Sequence, residues 1–140
     1  MDTKEAYKEI LKQYGVYKEE SEEKQSKDNT LKPYSVAQYA LEKRLPEDFL
    51  VNDCRLQTRK DKQGVTYLYI PYFSEEGKEV TYRKRYAGKQ FRWKYGAGKD
   101  ICPYGVWKIE DVRRAGYAVL VEGESDSQSM WHMGISTLGV

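Results

Sequence analysis

The feature that most limits what this chain can fold into is an apolar run, Ala118-Val119-Leu120-Val121, that stops abruptly at Glu122-Gly123-Glu124-Ser125-Asp126. An unbroken run with two β-branched members suits a short strand covered on both faces, as in a parallel sheet. Open α/β sheets place their chemistry at the carboxyl ends of such strands, and Glu122 stands at that end. Gly123 permits a sharp turn, and Ser125 or Asp126 has the chemistry to cap a following helix. Met130, Trp131 and Met133 are available to pack that helix on the sheet. Gly134 ends it, and Ile135–Leu138 begins a second strand. The segment therefore predicts a β-α-β unit with an acid at its switch point. Glu124 reads as a solvated side chain. His132, the sole histidine, reads as a partly buried packing residue rather than a base or ligand.

Upstream, the periodicity is helical first and then two-residue. Asp2-Thr3-Lys4-Glu5 has the form of a capping box ahead of Ala6, Ile10, Leu11 and Tyr14, with Gly15 closing the segment. Residues 19–29 carry no apolar side chain and read as a flexible linker. Ser35 and Gln38 form a second capping box, with Val36, Ala37, Ala40 and Leu41 inward, and Pro46-Glu47-Asp48 starts another helix that buries Phe49, Leu50 and Val51. From Leu56 the period changes to two. Val65–Tyr72 alternates β-branched and aromatic residues after an Asp61–Gly64 turn; Ser74–Gly77 turns again; Glu79–Tyr86 and Gln90–Tyr95 are strands about Ala87-Gly88-Lys89. This is an antiparallel meander with one face packed. Residues 105–112 make a turn and short helix that Gly116 ends, with Trp107, Ile109 and Val112 packing.

The composition excludes several classes. Cys54 and Cys102 lie far apart with no ligand-spaced Cys or His, which makes neither a zinc motif nor a disulfide framework and suits a reducing cytoplasm. Nothing near Met1 resembles a signal peptide, and no run approaches membrane-spanning length, so no membrane partner is expected. The net charge of +2 conceals an uneven distribution. Lys78, Arg83, Lys84, Arg85, Lys89, Arg92, Lys94 and Lys99 crowd into one stretch that also holds Phe91, Trp93 and Tyr95. Arg83 and Arg85 share one strand face, and across the turn Arg92 and Lys94 are expected beside them. Like charges so placed repel unless an anion is present, and a phosphate backbone is the obvious anion. Exposed aromatics among them would stack on single-stranded bases. The alternative is a lysine-rich solvated edge with Phe91 and Trp93 in the core. Gly96-Ala97-Gly98-Lys99 lacks the spacing and the following Ser/Thr of an ATP-binding P-loop.

Leu120-Val121-Glu122-Gly123, Asp126 and Gly134-Ile135 resemble the first motif of the Toprim domain, shared by bacterial-type primases, topoisomerases and related nucleases. Tyr39-Ala40…Leu45-Pro46…Phe49-Leu50 is similar to the lead-in of phage-type primase–helicases. Ile70-Pro71-Tyr72…Gly77…Tyr82-Arg83…Phe91-Arg92-Trp93, followed by Tyr104-Gly105, is similar to the small subdomain that precedes Toprim in primases. Together these blocks cover most of residues 32–140.

The resemblance implies an α+β chain in which short helices and an antiparallel meander precede the first β-α-β portion of a Toprim (α/β) domain. Its segments would be an N-terminal helix and linker (1–30), a small α+β subdomain with the basic meander (31–115), and the start of Toprim (116–140). It implies part of a DNA primase core, with Glu122 in the catalytic, Mg²⁺- or Mn²⁺-supported site as a direct or water-mediated ligand and Asp126 supporting it. Asp126 also remains open as a plain helix cap. The family's Asp-x-Asp motif, which supplies the main metal ligands, lies further along than Val140, so no tightly bound metal and no primer synthesis are expected of these residues alone. Arg83, Lys84, Arg85, Lys89, Arg92, Trp93, Lys94 and Lys99 would hold single-stranded DNA template or RNA primer, with nucleoside triphosphates as substrates. A replicative helicase domain in the same chain also accords with the likeness. Two alternatives stay open, a Toprim nuclease or topoisomerase fragment and a single-strand-binding module in which Glu122 is only a strand-end residue. A protein-interaction domain is a third, weaker one.

Overall fold

The computed structural model describes residues 30–94 and 102–140. The expected N-terminal helix and linker, Tyr95, and the Gly96–Lys99 run lie outside those residues. Leu31–Val140 forms one compact α+β unit. Helix α1 (Val36–Lys43) opens with the expected capping box, in which Ser35 accepts from the Gln38 N–H and the Gln38 side chain accepts from the Ser35 N–H. Helix α2 (Glu47–Asn52) starts behind Pro46, with Glu47 and Asp48 in the first turn, where the helix dipole favours acids. The faces differ in detail from the sequence reading. Tyr39 and Leu50 are fully buried, whereas Ala37, Leu41 and Val51 face solvent. Tyr39 replaces Leu41 as the inward residue because its ring reaches the core and its hydroxyl donates to Gln128.

Four strands follow in sequence order: β1 (Gln57–Lys60), β2 (Thr66–Phe73), β3 (Glu79–Tyr86) and β4 (Gln90–Trp93), each antiparallel to the next. Asp61 shapes the first turn. Its carboxylate accepts from the Gln63 and Val65 N–H groups and from the Tyr86 hydroxyl. The meander is packed on both faces, not one. Leu68, Ile70 and Tyr72 meet Tyr34, Val36, Tyr39, Ala40, Leu45, Leu50, Cys54 and Leu56 on the helix side. On the other side Tyr67, Tyr69 and Tyr86 cluster with Leu31, Val65 and Tyr82. Strand β1 reaches only to the residue opposite Tyr69, so at Pro71 β2 has β3 alone as a neighbour. A proline without an N–H fits such a one-sided position.

The chain then forms a 3₁₀ turn (Val106–Lys108) and helix α3 (Ile109–Ala115), which Gly116 ends in the left-handed conformation. Strands β5 (Val119–Val121) and β6 (Thr137–Gly139) pair in parallel around helix α4 (Glu124–His132), giving the β-α-β unit. Two details depart from the sequence reading. Leu120 is 64% exposed, because β6 is the only strand that pairs with β5 among the described residues. Gly123, not Ser125 or Asp126, occupies the helix cap, so α4 begins two or three residues earlier than those caps would set it and brings Glu124 into its first turn. Trp131 packs against the core as expected, while Met133 is exposed. His132 is exposed as well, its ring 5.0 Å from that of Phe49.

The core lends itself to two tests. Replacing fully buried Ile70 with alanine should cost about 2–5 kcal/mol, measured by denaturant unfolding. Burial, followed by the hydrogen bond to Asp61, pushes the Tyr86 phenol from 10.0 up to about 12. Because the folded state holds that proton more tightly, its contribution is complete below about pH 10 and disappears as pH rises towards 12. Melting temperature should therefore fall across that interval, and Tyr86→Phe should flatten the fall.

Candidate functional site

The register of the hairpin decides where its charges go. Arg83 pairs with Ile70 and Trp93, and Arg85 with Leu68 and Phe91, so these residues share the helix side of the sheet. Arg92 pairs with Lys84 on the opposite side. The expected grouping of Arg92 and Lys94 beside Arg83 and Arg85 does not form. Counting from the turn, aromatic residues of β4 fall opposite the two arginines, and a one-residue slip would have been needed to bring Arg92 there.

Arg85 is buried, with its guanidinium 5.1 Å from the Tyr39 and Phe91 rings and 3.9 Å from the Glu42 carboxylate. Glu42 also accepts from the Tyr34 hydroxyl, which holds its carboxyl below the usual range. Arg83 lies 4.0 Å from the Phe91 ring centroid and 5.3 Å from that of Trp93. Its Nη2 donates to Glu124 Oε2 at 2.7 Å. Lys84 is half-buried over the Tyr67 ring, 4.9 Å from its centroid. Lys89, Arg92 and Lys94 are exposed, and none of the three makes a salt bridge among the described residues. Trp93 is 37% exposed. Lys99 lies outside the described residues.

Glu124 corrects the sequence reading most sharply. It is not solvated; it is 4% exposed. A buried carboxylate needs charge and hydrogen bonds to replace water. Arg83 supplies the charge, and the Tyr72 hydroxyl donates a second bond at 2.9 Å. Burial, and then the Glu124 charge, hold the Tyr72 phenol well above its ordinary range. The one local sign of this arrangement is position, since Glu124 is the first residue of α4 after the Gly123 cap. Its partner lies 41 residues away.

Tyr72, Arg83, Trp93, Tyr104, Gly123 and Glu124 line an open cleft of about 460 Å³. Glu122 sits beside it at the end of β5, exposed, and Asp126 is exposed two residues into α4 beyond Glu124. No group of three or more His, Cys, Asp or Glu side chains gathers among the described residues. A smaller cavity of about 230 Å³, lined by Lys108, Tyr117, Trp131 and Ser136, contains none of the sequence-predicted site residues. Neither Cys54 nor Cys102 forms a disulfide, and burial pushes the Cys54 thiol up to about 12. No helix of the described residues is long and apolar enough to cross a membrane.

The elbow is fixed from below by close packing. Gly139 lies under it, where an added Cβ would come within 2.9 Å of Ser127 Oγ and Tyr104 Cβ and 3.2 Å of the Gly123 carbonyl oxygen. Tyr104 pairs with Gly139 through backbone hydrogen bonds in both directions. Comparison with protein-family models, with curated proteins and with solved structures finds no match to this chain. Gly139→Ala should destabilise the protein by about 1–3 kcal/mol, measured by thermal or denaturant unfolding, because the methyl group displaces the backbone that seats Gly123.

Proposed function

We propose that this chain is part of a Toprim-type primase core that holds single-stranded DNA template or RNA primer across the hairpin and presents Glu122 to the reacting phosphates. One observation carries the reading. An exposed carboxylate follows a parallel β-strand beside a cleft whose other wall holds Arg83 and the partly exposed Trp93 of the hairpin, with Lys89, Arg92 and Lys94 exposed elsewhere on the same hairpin. Lys89, Arg92 and Lys94 supply the exposed positive charge that a phosphate backbone seeks, and every base offers a π-face to Trp93. The intact protein would join ribonucleotides by attack of a 3′-hydroxyl on a nucleoside triphosphate with loss of pyrophosphate. Mg²⁺ or Mn²⁺ belongs to that intact protein, together with the second acidic motif the family resemblance implies. The work of this segment is to bind and place the strand.

A second reading rests on the incomplete acid set of the described residues. In it the chain is a single-strand-binding module, and Glu122 is only the residue that ends β5. Fluorescence anisotropy with labelled oligo(dT) tests what the two readings share. Binding should be weak and salt-dependent. Trp93→Ala should weaken it at least about 5-fold, the loss of one base stack of roughly 1–3 kcal/mol. Arg92→Gln should make the dependence of log affinity on log salt shallower by about 0.7. Glu122→Gln separates the readings. It should leave binding unchanged while abolishing template-dependent primer synthesis by the intact protein; undiminished synthesis would remove Glu122 from the chemistry.

A further inference from the structure

Arg83 stands in the cleft yet differs from the exposed cations Lys89, Arg92 and Lys94 in having a counter-ion among the described residues. Its Nη2 is 2.7 Å from a carboxylate that has almost no contact with water, and its face lies against Phe91 and Trp93. Its Nε is buried without a hydrogen-bond partner among the described residues. We infer that Glu124 is the internal counter-ion of Arg83, cancelling the cleft's one cationic wall so that the strand's phosphates are held by the exposed cations instead. This rests on the single-strand-binding reading above and assigns a role within it that neither residue's position in the sequence discloses.

The argument is one of competing partners. A phosphate that took Arg83 would leave Glu124 buried with only the Tyr72 hydroxyl to satisfy it, and an uncompensated buried charge is among the more costly arrangements a protein can hold. A phosphate that merely approached the intact pair would meet a guanidinium and a carboxylate whose charges cancel. Neither route releases a counterion, which is where the affinity of a cation for a nucleic-acid backbone originates. Lys89, Arg92 and Lys94 carry no such obligation among the described residues. The cleft is thereby left with Trp93 as its partly exposed aromatic face, which suits a base and not its phosphate. Glu124 consequently sets how many phosphates the protein can neutralise.

The test is oligo(dT) anisotropy titrated between 50 and 200 mM salt on the whole 140-residue chain, with a thermal melt of every variant. Glu124→Gln keeps the shape, leaves its amide oxygen to accept from Arg83 and its NH2 to donate to the Tyr72 oxygen in a reversed bond, and frees the Arg83 charge. Binding at low salt should tighten, and the salt slope should steepen by about 0.7, an extra loss of roughly 2.6-fold across that range. The double variant Arg83→Gln with Glu124→Gln removes the pair without stranding a charge, and its slope should equal that of the wild type. A double-variant slope shallower by about 0.7 would show that Arg83 contacts phosphate with Glu124 in place and would overturn the inference. An unchanged slope in folded Glu124→Gln would do the same, and should that variant fail to fold, the double variant decides alone. Absence of wild-type binding at 50 mM salt would be a different failure, bringing down the strand-binding reading and this inference with it.

Discussion

Every residue of β2 from Tyr67 to Phe73 is withdrawn from water, and the arrangement of the molecule runs outward from that strand. Two apolar faces on one strand require two covers. Helices α1 and α2 provide one and a layer of tyrosines the other. Strand β3 must then alternate in step with β2, since a slip of one residue would carry Tyr82 and Tyr86 to the wrong side. The cost of the correct register is that Arg83 and Arg85 turn towards the core. Each is resolved by aromatic faces and a carboxylate, Glu42 for Arg85 and Glu124 for Arg83. The position of the acidic elbow thus follows from the packing of a strand roughly fifty residues before it.

The second joint is aromatic. Tyr104 is buried, with ring centroids 4.9 Å from Tyr72 and 5.2 Å from both Trp107 and Trp131. Gln128 donates to its hydroxyl and accepts from Tyr39, so a single amide ties α1, the Tyr104 segment and α4 together. Tilted and edge-on rings of this kind add to area burial and have preferred geometries, which makes the joint stiff as well as stable. Residues on either side of position 115 accordingly belong to the same compact unit, and the β-α-β portion is seated on the meander through named side chains.

This division of labour separates two populations of cations that look alike in the sequence. Arg83 and Arg85 stabilise the fold by filling space between aromatic rings, where a guanidinium stacks well. Lys89, Arg92 and Lys94 stay hydrated on the outside, where they are free to meet an anion. Glu122 and Glu124 divide similarly. Two residues apart in one turn, they face water and core respectively.

Local chemistry alone was enough to specify the elements. The Ser35–Gln38 capping box, the Pro46 helix start, the Asp61–Gly64 and Ser74–Gly77 turns, the limits of β3 and the β-α-β order around Gly123 and Gly134 are all present where neighbouring residues require them. Those signals act over a few residues, so a reading of the chain in order captures them. Which charges remain in water was decided only by the tertiary structure. Glu124 appears solvated until Tyr72, 52 residues earlier, and Arg83, 41 residues earlier, are brought against it. Register across a turn and burial against a distant element have no local signature, because each is set by the best packing of the whole core and not by the preferences of the residue itself.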